Sequence, residues 1–111
     1  MMEVPHLNRV LALETPQNTP DGAGGFEQTW QVLGELWAEL RAGTGRVHAV
    51  QGMTLGSVPM QINVRWAPEG SPRRPRAGQR LREGGRLFAI LAVADGPAGY
   101  LRCFATEEVS L

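Results

Sequence analysis

The 111 residues carry eleven arginines and eleven acidic side chains, so the formal charge is zero and the total points to neither nucleic acid nor a membrane surface. At 42% hydrophobic content the chain can bury a modest core as one domain over 1–111, and no apolar run approaches the roughly 20 residues of a membrane span. The charge is unevenly placed: residues 1–56 hold three arginines against six acids, and 57–111 hold eight against five. Residues 1–10 lack the apolar stretch of a signal peptide, and the expectation is a soluble chain in the cytoplasm. Every basic residue is arginine, which fits either contact chemistry at carboxylates and phosphates or a GC-rich genome.

In chain order, the first element is a short strand over 9–14 (RVLALE). The following TPQNTPDGAGG, with two prolines, an asparagine and three glycines, predicts a long flexible arm or hairpin loop. The stretch TWQVLGELWAEL at 29–40 fits two templates. Trp30, Leu33, Trp37 and Leu40 recur at helical spacing, yet every even position from Trp30 to Leu40 is apolar or glycine. The rest of the chain favours strands. Met60, Ile62, Val64 and Trp66 alternate with polar residues, 80–83 and 86–93 flank a Gly84-Gly85 turn, and GPAG at 96–99 leads into 100–106.

The predicted fold class is therefore all-β: a small barrel or sandwich with long loops and at most one short helix, near 46–51. Residues 29–40 become a long or bent strand pair with Gly34 near the bend, placing Trp30, Val32, Leu36, Ala38 and Leu40 on one buried face. The expected core anchors are Trp30, Trp37, Ile62, Val64 and Ile90, and Cys103 faces inward between Leu101 and Ala105. Residues 41–58 and 67–78 fall outside the sheet and are the expected mobile parts, being thin in apolar side chains and rich in glycine or proline.

Enzyme chemistry finds little footing. His6 and His48 lie far apart without ligand-spaced partners, so no metal or other cofactor is expected, and there is no nucleophile elbow, phosphate loop or dinucleotide fingerprint. The marked charge feature is 65–86, with seven arginines against Glu69 and Glu83. It suits a solvated loop or a contact to an acidic protein surface and, less directly, single-stranded nucleic acid, since Trp66 is the only aromatic there available for base stacking.

LNR at 7–9, DGAGGFEQTW at 21–30, LWAEL at 36–40, GR at 45–46, INVRW at 62–66 and GGRLFAI at 84–90, taken as an ordered set over nearly the whole chain, resemble the phage head-tail joining proteins. These are the head-completion or stopper proteins of long-tailed phages and gene transfer agents. The resemblance implies a β-barrel subunit of a connector ring, hexamer favoured over dodecamer, below an adaptor and above a tail terminator, around packaged double-stranded DNA. It implies a location in the host cytoplasm during assembly and then in the virion or gene transfer agent particle. A loop of each subunit would reach the channel; here the candidate residues are Thr44, Arg46, His48, Gln51 and Met53. The chain departs from the family pattern in having Val47 after the GR pair, interrupting glycines at Gly52 and Gly56, and an unusually Arg- and Pro-rich 67–78. Candidate ring or partner contacts are Phe26, Arg73, Arg74 and Arg76, with the glycines before Phe26 letting an arm leave the barrel before Phe26 and Trp30 anchor it. A tail terminator or minor tail protein is the alternative in the same class. A single-stranded nucleic-acid-binding barrel is the alternative from another.

Overall fold

Six antiparallel strands close into a barrel in the order β1-β2-β3-β6-β5-β4 in the computed structural model, which describes residues 4–43 and 57–108. They are β1 (Arg9–Pro20), β2 (Phe26–Ala42), β3 (Ser57–Arg65), β4 (Arg80–Glu83), β5 (Arg86–Asp95) and β6 (Tyr100–Glu108). Closure comes from the short β1–β4 ladder, Ala12↔Arg82 to Glu14↔Arg80. Period-2 alternation then sends one face of every strand inward. Leu11, Leu13, Ile62, Val64, Leu81, Phe88, Ile90, Leu101, Cys103 and Ala105 form the core. Leu33, Leu36, Leu40 and Val93 pack around them.

The segment 29–40 is extended, as the alternation requires, but it belongs to one continuous strand rather than a pair. Its faces are not uniform. Leu33 is an extra residue opposite the Leu13/Glu14 step, so pairing passes from Leu13↔Gly34 to Glu14↔Val32. Such a bulge flips the phase of everything beyond it. Leu36, Ala38 and Leu40 therefore turn inward, whereas Val32 is exposed and Trp30 is half-buried outside the barrel. Trp37, an expected core anchor, has the outward phase and is 57% exposed; Ile62, Val64 and Ile90 are core.

The second correction concerns TPQNTP. These residues continue β1 to Pro20, pairing with β2 down to Pro20↔Phe26. Past Glu14, β1 pairs with no strand but β2 among the described residues, and Pro16 and Pro20 share one phase along a free edge, where a missing N–H costs no ladder bond. Likewise, β2 extends through Ala42 and β3 starts at Ser57, so the unassigned connection is 43–56 rather than 41–58. Residues 67–78 do form an outer loop, but Ala67 and Pro75 are buried in it. Its backbone is tied by Ser71 N to Pro68 O, Arg74 N to Ser71 O and Gly78 N to Ile90 O.

Candidate functional site

The feature with the greatest reach is an arm: six cross-strand pairs, Thr15↔Gln31 to Pro20↔Phe26, that leave the barrel as a two-stranded ribbon. At about 3.3 Å per residue this projects roughly 20 Å. Residues 17–24 and 26–29 are exposed throughout. The glycines do not make the arm flexible; they build its turn. Gly22 and Gly24 take φ of 82° and 86°, conformations that need no Cβ. Asp21 closes the turn, its Oδ1 accepting hydrogen bonds from Ala23 N (2.8 Å) and Gly25 N (3.1 Å). Those two N–H groups hold the Asp21 carboxyl below the usual carboxylate range, so the tip stays anionic. Phe26 is thereby presented, not anchored, with 72% of its surface exposed.

The root of the arm is rigid for a different reason. Glu14 is next to inward-facing Leu13, so alternation sends it outward, yet only 3% of it is exposed because Arg80 and Arg82 cover it. Arg80 Nε donates to Glu14 Oε1 at 2.7 Å and Arg82 Nε to Oε2 at 2.8 Å. Trp30 lies over the Arg80 guanidinium, 4.1 Å from its carbon to the ring centroid. Burial alone pushes the Glu14 carboxyl up, but the two arginines together outweigh it and hold the group below the ordinary range.

Charged side chains at inward-phase positions close one end of the barrel. Arg9 makes a two-pronged pair with Glu83, and Arg86 makes one with Glu107, its Nε and Nη2 donating at 2.7 and 3.0 Å. On the outer face, Glu39 accepts from His6 N, Arg41 Nε and Asn63 Nδ2, and Arg102 Nε donates to Asn63 Oδ1. The arginine run at 65–86 is thus not one basic surface. Arg80, Arg82 and Arg86 are held by carboxylates, and Arg74 donates to Ala67 O. Arg65, Arg73 and Arg76 remain exposed.

Two of these exposed arginines border a groove of about 250 Å³. Pairing of β2 with β3 ends at Ala38↔Val64, and beyond it the two chains splay. Trp37, Trp66, Arg65, Arg73 and Glu35 line the gap. From sequence, Trp37 was an expected core anchor and Trp66 continued the alternation of Met60, Ile62 and Val64. Trp37 lies on the outward phase, and Trp66 falls one residue beyond the end of β3, leaving it 53% exposed.

Of the residues singled out from sequence, Thr44, Arg46, His48, Gln51 and Met53, and the helical turn expected near 46–51, lie outside the described residues. Phe26 stands at the distal end of the arm, while Arg76 borders a hollow at its root with Thr15 and Pro16, so the expected contact residues do not form one cluster. Glu14 and the tryptophan groove escaped the sequence reading. In the closed sheet Glu14 lies directly opposite Arg80 and two register steps from Arg82, whereas the sequence offered only an acidic residue at the end of an apolar strand.

A family model described as phage head completion protein matches residues 2–108. A chain from the virion of a native gene transfer agent particle is 54% identical, with TM-score 0.79, covering 97% of this chain and 100% of that one. A Shigella flexneri 2a protein solved in solution shares the fold at 19% identity, with TM-score 0.66 and 96% of each chain covered. Among curated proteins nothing matches.

Proposed function

The chain belongs to the phage head completion protein family, and from that premise we propose that it is a structural ring component of a head-tail connector, joining portal and adaptor to the tail and helping to close the DNA channel. The observation that carries the reading is the 54% identity, over 97% of the chain, to a protein within a gene transfer agent virion. It favours a place in such a particle over a free nucleic-acid-binding barrel. The engagement of Arg80, Arg82 and Arg86 by carboxylates points the same way, since those arginines are not open to phosphate.

Within the closed barrel each strand is paired on both sides and free edges remain along the projecting arm, so ring contacts are left to that arm and to outer-face side chains. The arm and the tryptophan groove meet that requirement. Residues 43–56, which join two adjacent strands at one end of the barrel, are the proposed channel segment. Deleting the gene from the producing strain tests the function. DNA packaging should proceed, but heads should lose DNA or fail to join tails. Normal tailed, DNA-filled particles from the deletion strain would reject it.

A further inference from the structure

We propose that Phe26 at the tip of the arm docks between Trp37 and Trp66 of a second copy of this chain, with Asp21 and Glu27 meeting that copy's Arg65 and Arg73. This rests on the ring reading above and specifies the contact that joins neighbours.

An arm cannot fill its own groove. Phe26 and Trp37 belong to one extended strand eleven residues apart, which holds them roughly 35 Å from each other. The tip must meet another molecule, and its chemistry matches the groove. Residues 15–34 carry two acids and no basic residue. The groove carries Arg65 and Arg73 against Glu35, and neither guanidinium has a carboxylate partner among the described residues. Phe26, Trp37 and Trp66 are each more than half exposed. Aromatics flanked by unpaired charge have the composition of a binding hot spot. The bonded Asp21 turn orders the backbone that carries Phe26 before contact, which lowers the backbone freedom lost on docking. Tip and groove are different surfaces of one chain, so their contact is head-to-tail. Repetition of a head-to-tail contact closes a ring when the rotation permits.

The test uses assembled particles carrying Phe26→Cys together with Trp66→Cys, oxidised and separated without reductant. Cys103 stays out of the exchange because burial pushes its thiol up to about 12. The expected result is a ladder of multimers of this chain from the double variant and none from either single variant. Visible rings without a ladder, or a bond from Phe26→Cys to a different particle protein, would overturn the docking while sparing the ring. Absence of any ring of this chain in wild-type particles would overturn the ring reading itself. Charge reversal gives a second readout. Glu27→Arg should lower the yield of tailed particles by about tenfold, as loss of one interfacial ion pair would. Adding Arg73→Glu should restore it, with the melting temperature of the free chain unchanged in all variants; failure of that rescue would also overturn the contact.

Discussion

Replacing Glu14 by glutamine removes the one carboxylate that Arg80 and Arg82 share at the root of the arm while keeping its shape. The carboxylate is almost fully covered and accepts two charge-assisted hydrogen bonds, at 2.7 and 2.8 Å, each worth about 1.5–3 kcal/mol in a dry setting. The arginines are wetter, with side chains 23% and 41% exposed, so water re-solvates them after the substitution and the Arg82 share is heavily screened. A net loss of about 2 kcal/mol follows, or roughly 10 °C in Tm for a chain of this size. The pH dependence makes the reasoning specific. The folded-state pKa of Glu14 lies below its ordinary value of 4.5, so its stabilisation is complete above 4.5 and is lost as pH falls through the folded value. Glu39 and Glu107 are shifted in the same direction, but they are present in both proteins and cancel in the difference. Urea unfolding of wild type and Glu14→Gln across a pH series from 7 downward should show the gap at pH 7 and its narrowing as pH falls below 4.5. Equal stability at pH 7, or a gap that does not narrow as the pH falls below 4.5, would refute the assigned role.

Trp37→Ala should change unfolding free energy by less than about 0.5 kcal/mol, because the ring lies outside the core, whereas Phe88→Ala, with no exposed surface, should cost about 3–5 kcal/mol in the same urea titration. Gly84 has φ of 58° with open space where a Cβ would stand, so Gly84→Ala should cost about 1–2 kcal/mol through backbone conformation alone, and Gly84→Asn less. In hydrogen exchange of the free chain, amides of 17–28 should exchange faster than those of 60–64 and 87–90, since the ribbon has solvent on both faces. The hydrogen-bonded amides of Arg74, Gly78 and Gln79 should be slower than the arm tip; equal rates would contradict the ordered loop.

Alternation alone made much of this barrel legible. Met60, Ile62 and Val64, the Gly84-Gly85 hairpin and the inward phase of Leu101, Cys103 and Ala105 were all readable, because a side chain's face in a strand follows from its parity. The ordered blocks from LNR to GGRLFAI likewise pointed to the family that the match over 2–108 establishes. Parity fails wherever one residue is added. The bulge at Leu33 falls beside Gly34, where a bend was expected, but nothing in TWQVLGELWAEL says that one residue is added there, and that addition decides that Val32 and Trp30 leave the core phase while Leu36 keeps it. Proline and glycine content predicted a break after Glu14, but whether proline interrupts a strand depends on whether its edge is paired, and the free edge is a property of the closed sheet. Glu14 lies more than sixty residues from Arg80 and Arg82, and Trp37 nearly thirty from Trp66. Local sequence sets what each strand can bury; only closure of the barrel decides which charges meet and which aromatic rings are left facing water.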